Sequence, residues 1–255
     1  MPALQPLTGE ITDQLNFLEV GGNQNDLLIQ RIKRSIEAIK AIDIMQYHML
    51  NGMLYSIIND YDASVDSHEK SLRYSSEIIL RQNYAYSMKR FGRTRKALEL
   101  MTEVFELQPT QECFSDYTTA AIFAGIFDSI EEKLVKFAKS NPEVDVRSLP
   151  DIQYVNHIRK QMEKADVSNA DYQSVLELAD SVIAANRYLT TAISVESSSF
   201  DGVPYISVEL GIDARSADDI VQINDGIADK VARSDIAAWD KIVVSVVAKP
   251  ANKVA

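Results

Sequence analysis

The chain is poor in the residues that most chemistry needs. It has one cysteine, Cys113, and three histidines, His48, His68 and His157, in 255 residues. One thiol excludes an intramolecular disulfide and a cysteine-based zinc site. No two histidines stand at the i, i+4 spacing of a helical zinc site, so each reads as a core or surface side chain. Cys113 opens a helical run beside Phe114 and reads as a buried structural thiol. None of the 9 glycines builds a Walker loop, a Gly-x-Gly-x-x-Gly turn or a Gly-x-Ser-x-Gly elbow, which leaves no phosphate cradle and no nucleophile elbow. No cofactor is expected.

Long apolar runs are also missing. No stretch approaches the ~18 continuous apolar residues of a membrane span, and Met1 to Glu10 has no basic start followed by an apolar segment. The expectation is a cytoplasmic protein with no membrane partner. Cations are outnumbered, with 26 Lys and Arg against 37 Asp and Glu and a net charge of −11. Duplex binding needs cations to displace counterions from phosphate, so nucleic acid is not expected as a partner. A basic or amphipathic polypeptide suits that field better. Hydrophobic residues make up 46%, enough for a packed core.

What the sequence does contain is a repeat. Asn59, Gly92 and Gly125 are 33 residues apart. Ser64, Ala97 and Ile130 share that spacing, as do Ser71, Val104 and Phe137, and Ser76, Pro109 and Pro142. A period of about 34 residues marks stacked helical hairpins. The Asn/Gly column falls between two apolar helical runs, where a helix stops on a residue tolerant of left-handed geometry. A small residue early in the second helix lets two helices cross closely, and a proline past it cannot continue the helix. The first helices are expected near 45–58, 78–91 and 112–124, and the second near 62–74, 95–107 and 128–140.

These residues resemble the tetratricopeptide repeat (TPR) family, over roughly two-fifths of the chain. The best copy runs from Ile78 to Pro109, with Ala85, Gly92, Ala97 and Pro109 in the family's slots. Copy one offers Gly52, Tyr55 and Tyr61, and Asn59-Asp60-Tyr61-Asp62 looks like a repeat turn. Copy three keeps Gly125, Phe137 and Pro142, with Thr118 and Ala121 in place of the small residue and the aromatic. The resemblance implies a concave groove lined by first helices. In this sequence those slots are Gln46, Met49 and Met53; Gln82, Tyr86 and Lys89; and Ser115, Thr119 and Ile122. Methionines suit an apolar or amphipathic ligand, unless Met49 and Met53 simply pack on the N-terminal helix. One branch of the family grips chaperone C-terminal carboxylates through a lysine and an asparagine. Here Met49 and Met53 occupy those two slots, so such binding is not expected. A basic cluster, Lys89, Arg90, Arg93, Arg95 and Lys96, surrounds the copy-two turn. It reads either as a seat for a phosphate or an acidic tail or as a solvated turn.

Outside the repeats, residues 1–10 read as a loose arm. A short helix is expected from Glu10 to Val20, on Ile11, Leu15 and Leu18, stopped by Gly21-Gly22-Asn23. A second follows from Asp26 to Asp43 on Leu28, Ile32, Ile36 and Ile39. This pair reads as a solenoid cap. The polar stretch 141–151, with two prolines, is the expected domain boundary, dividing a repeat domain, 1–149, from a closing helix and small α+β domain, 150–255. The closing helix ends near Lys164. Beyond it come a helix from Ser168, capped with Asp171, strands at Thr190–Ser197, Tyr205–Ile212 and Ile242–Ala248, a turn at Ser198–Gly202, and a helix at Ala217–Arg233. The fold expected is therefore α+β, mostly α, with a TPR-like array ahead of an α-β-β-α-β sandwich. Both helices are placed on one sheet face. The other carries Tyr205, Ser207 and Glu209 with Ser194, Glu196, Val243, Ser245 and Val247. Because the third strand is apolar on both sides, that face is expected to be covered by the repeats or by a second copy.

The functional expectation is an adaptor whose groove binds a polypeptide, with the C-terminal unit making a homodimer or a second contact. A narrower version is a secretion chaperone or toxin-neutralising protein. The rival is an effector or metal-dependent enzyme using Glu196, Asp201, Glu209 and Asp213, since clustered carboxylates can hold Mg²⁺. Glu209 lacks the lysine two positions on that an Asp…Glu-x-Lys nuclease needs, and the four read more simply as a solvated face and turn.

Overall fold

Eleven helices and one three-stranded sheet make up the described residues, 4–18, 26–214 and 216–248, of this computed structural model. The chain divides into two compact units, Met1–Val104 and Phe105–Ala255. Stretch 141–151 lies inside the second.

The first unit opens with α1 (Leu4–Phe17) and α2 (Asp26–Ile39). Residues 4–10 thus belong to a helix and not to a loose arm. Pro6 falls in the first turn, where a missing N–H leaves no intrahelical bond unmade. The expected stop at Gly21-Gly22-Asn23 lies outside the described residues. Next come α3 (Ile44–Ile57), α4 (Tyr61–Tyr74), α5 (Ile78–Arg90) and α6 (Thr94–Leu107), the last running on into the second unit. Both the α3–α4 and α5–α6 turns close on a left-handed residue, Asn59 at φ 63° and Gly92 at φ 66°. Asp43 and Asp60 cap α3 and α4 by accepting from the N–H groups of Gln46 and Ala63.

Helix α4 is fixed to α3 by hydroxyls. Ser64 Oγ donates to Gly52 O at 2.8 Å, and Ser71 Oγ to Met45 O at 3.0 Å. The approach is close enough that a methyl group on Gly52 would meet the His68 ring at 2.6 Å. His68 stacks on Tyr84 with centroids 4.8 Å apart, and Nε2 pairs with Ser87 Oγ at 2.9 Å. In the next pair Ala85 and Met88 of α5 pack on Ala97 and Leu100 of α6.

In the second unit α7 (Gln111–Ala124) and α8 (Ile130–Ser140) form the third pair. Gly125 ends α7 at φ 66°, so all three members of the 33-residue column are left-handed. Thr118 occupies the small-residue slot by turning its hydroxyl onto Phe114 O in its own helix. Phe105, Phe114, Tyr117 and Phe137 form one aromatic cluster, with Phe114 and Phe137 stacked at 4.7 Å. Cys113 is buried at the helix start. A Cβ on Gly125 would lie 3.1 Å from the Gln173 backbone and 3.1 Å from Leu176 Cδ1. Gly125→Ala is therefore expected to cost roughly 2–3 kcal/mol, the left-handed penalty plus overpacking. Gly92→Ala carries the same left-handed penalty, about 1–2 kcal/mol. Urea denaturation monitored by circular dichroism measures both, and equal losses would show that the close approach of α10 to Gly125 adds no cost.

The rest of this unit is α9 (Pro150–Ala165), α10 (Asn169–Ala185), β1 (Ala192–Phe200), β2 (Val203–Ile212), α11 (Ala217–Ala232) and β3 (Ile242–Ala248). Ser168 caps α10 as expected, its Oγ accepting from Asp171 N at 3.1 Å. The sheet order is β1-β2-β3, antiparallel then parallel. The hairpin turn is shorter than expected. Ser198, Ser199 and Phe200 pair with Tyr205, Pro204 and Val203, leaving only Asp201 and Gly202, at φ 50° and 81°. Two consecutive positive φ angles match the twist of a tight hairpin, so the serines are held by the turn and not by an apolar alternation.

Val195, Ile206, Val208, Leu210, Ile242 and Val246 fill the inner sheet face, on the side where α10 and α11 pack. Within this one chain the opposite face is open, with Val243 and Val247 49% and 37% exposed. Side chains seal the sheet's outer edges. Tyr154 Oη and His157 Nε2 of α9 bond Ile193 O and Val195 O, and Gln161 Oε1 accepts from Ser197 N. At the far edge Asn224 of α11 donates to Val246 O and accepts from Val246 N. Among the described residues no helix is long and apolar enough to cross a membrane.

Candidate functional site

The groove slots of the repeat resemblance fall into three environments. In the first unit, Met49 and Met53 are 3% and 4% exposed and belong to the core. They pack in one cluster with Ile11 and Leu15 of α1, the α2 isoleucines, and Leu50 and Leu54. The methionine wall is therefore not open: α1 lies in the place assigned to a ligand. Met49 Sδ also accepts from Asn83 Nδ2 of α5 at 3.2 Å, which ties α3 to the next first helix. Gln46 is half-buried at the start of α3, and no hydrogen-bond partner for its Oε1 is found among the described residues.

Helix α5 carries the more open part. Tyr86 is 40% exposed, and Gln82 and Lys89 are partly so. The basic cluster does not act as one patch. Arg93, Arg95 and Lys96 are exposed; Arg93 lies over the Tyr61 ring at 5.6 Å and Lys96 pairs with Glu99 at 2.9 Å. Such pairs contribute at most about 1 kcal/mol. Arg90 instead turns inward to 5% exposure, its guanidinium 4.9 Å from the Tyr86 ring. Its Nη1 is buried with no hydrogen-bond partner among the described residues. Burial pushes the Arg90 pKa down, and Tyr86 beside it acts in the opposite direction. Arg90 shares a tight cleft with Leu15, Met53, Ser56, Ile57, Tyr86 and Ser87.

In the second unit, Ser115 Oγ donates to Asp151 Oδ2 of α9 at 2.6 Å, Ile122 is 5% exposed and Thr119 is exposed. Helices α9 and α10 both pack on α7.

The carboxylate set does not converge. Glu196 pairs across the ladder with Ser207, and Glu209 with Ser194, so these two share the open face. Asp201 is in the hairpin turn and Asp213 follows the other end of β2. Those ends are separated by roughly 30 Å of strand at ~3.3 Å per residue. Glu196 instead faces His157, with Oε1 and Nε2 3.3 Å apart. Among the described residues no group of three or more His, Cys, Asp or Glu side chains is placed to hold a metal ion.

Arg90's inward turn and the seating of α1 had weak sequence signals. The Ile11, Leu15 and Leu18 spacing marks an apolar stripe without naming what covers it. Comparisons with protein-family models, with curated proteins and with solved structures each give no match. The fold alone defines the class, a run of consecutive helices consistent with a helical repeat array, joined to a small α+β unit.

Proposed function

We propose that the protein is an adaptor that binds a polypeptide, with residues 45–142 acting as three TPR-like hairpins. The observation that carries this reading is the column Asn59, Gly92 and Gly125, left-handed at φ 63°, 66° and 66° and 33 residues apart, each closing a pair of helices. Repeats of this build expose broad surfaces suited to extended ligands. Tyr86 on α5, half in solvent beside Arg90, has the character of an interface anchor. The C-terminal unit makes the second contact, a homodimer or a partner face, through the open sheet side that bears Val243 and Val247.

Purification of the full chain from its own host should bring down one polypeptide in stoichiometric amount. Tyr86→Ala is expected to weaken that complex about tenfold or more, since buried aromatic anchors carry ≥ 2 kcal/mol each. A complex indifferent to Tyr86→Ala would move the contact off α5. A chain that purifies alone and monomeric, by sedimentation velocity, would remove the adaptor reading altogether.

A further inference from the structure

In the first unit, Ile11 and Leu15 of α1 are 2% and 0% exposed, inserted among Met49, Met53, Leu50 and Leu54. The second of these side chains lines the same cleft as Tyr86 and Arg90. Two features set this contact apart from a permanent core. Arg90 is 5% exposed, its Nη1 has no partner among the described residues, and the cleft lining contains no carboxylate. A desolvated cation without an acid is costly and is met where a counter-charge arrives from elsewhere. Helix α1 is also a poor helix in its own right. Thr8, Gly9, Thr12 and Asp13 all disfavour helix, and its ends carry neither an acid in the first turn nor a base in the last. By contrast α2 inserts Ile29, Ile32, Ile36 and Ile39 on one stripe.

We propose that α1 is a displaceable occupant of the α3–α5 groove, and that the partner segment replacing it is an amphipathic helix with two aliphatic side chains four residues apart and a carboxylate that reaches Arg90. The i, i+4 pair is the spacing at which α1 already presents Ile11 and Leu15. Among the described residues a carboxylate is the group missing from the cleft around Arg90, and a planar guanidinium receives one through two parallel hydrogen bonds. In this way the groove is closed to weak ligands and opens to one that satisfies Arg90 as well as the apolar wall. The inference rests on the adaptor reading and names the chemistry of its partner.

The test uses the full chain, as wild type and as Ile11→Asp/Leu15→Asp, which expels α1, each with and without Arg90→Gln. The probes are two labelled synthetic peptides, residues 4–18 of this chain and the same peptide with Leu18→Glu, which keeps the Ile11 and Leu15 pair and adds a carboxylate one turn beyond it, followed by fluorescence anisotropy. The native peptide should bind the expelled variant at least about tenfold tighter than wild type, because a tethered α1 competes at high effective concentration. The glutamate peptide should bind the expelled variant at least as tightly as the native one, and Arg90→Gln should weaken the glutamate peptide about tenfold while leaving the native peptide within about threefold. Equal peptide binding by wild type and the expelled variant would overturn the proposal, as would indifference of the glutamate peptide to Arg90→Gln. Hydrogen exchange on unmodified protein gives a second measure. The α1 amides should exchange well ahead of those of α3, and exchange of both together, by global unfolding, would also overturn it. Co-purification judges the adaptor reading separately, so a fixed α1 would leave that reading standing.

Discussion

Replacing Gly52 with alanine is expected to destabilise the first unit by roughly 2–4 kcal/mol, against the usual sign of a glycine-to-alanine change inside a helix. Gly52 lies within α3, where alanine normally gains up to about 1 kcal/mol. Here the added methyl would stand 2.6 Å from two atoms of the His68 ring and 2.7 Å from a third. The ring has nowhere to go: Tyr84 stacks on it and Ser87 holds Nε2. Since α4 is also tied to the α3 backbone through Ser64 and Ser71, relief requires the hairpin itself to open. A double-mutant cycle with His68→Ala isolates the cause. In the His68→Ala background, Gly52→Ala should revert to a small gain. Urea melts in which Gly52→Ala raises stability in the parent chain would show that the two helices are not in this contact.

The second large effect is on pH. Burial pushes the His68 imidazole down to about 3, from an ordinary value of 6.5. Its Nδ1 is buried with no partner among the described residues, so the fold accommodates only the neutral ring. The unfolded chain takes up this proton below about pH 6.5, and the folded chain not until about pH 3. Stability is therefore complete above pH 6.5 and falls through the window down to about 3. At roughly 1.4 kcal/mol per pH unit, the loss at pH 4.5 is on the order of 2–3 kcal/mol. His68→Met should flatten this limb while keeping a side chain that fits; Met101 stands one repeat further on, 33 residues away. Comparison of urea midpoints at pH 7 and pH 4.5 for the two proteins decides it. An equal acid loss in both would assign the effect to other groups.

The helix limits were legible because caps and stops are local: Asp60, Gly92, Gly125 and Ser168 act within a turn of their own position. Strand β3 was legible for the same reason, bounded as it is by polar residues. The fate of each apolar stripe was not. Met49 and Met53 have the spacing of a groove wall, and only the long-range docking of α1 makes them core. Arg90 reads with Lys89 and Arg93 as surface charge, yet the helix phase turns it inward onto Tyr86 while its neighbours remain in solvent. The hairpin tip was missed because its serines carry no periodic signal, and a two-residue turn at Asp201-Gly202 supplies the register instead.

The side chains that close the sheet rims have a consequence for assembly. Tyr154, His157 and Gln161 occupy outward backbone groups of β1, and Asn224 occupies those of Val246. An extended peptide arriving at the β1 rim finds Ile193 O, Val195 O and Ser197 N already taken, so a further strand added there would have to displace α9 side chains. The C-terminal unit is thereby kept from polymerising along that border, and a visiting chain must lie across the strands rather than extend them.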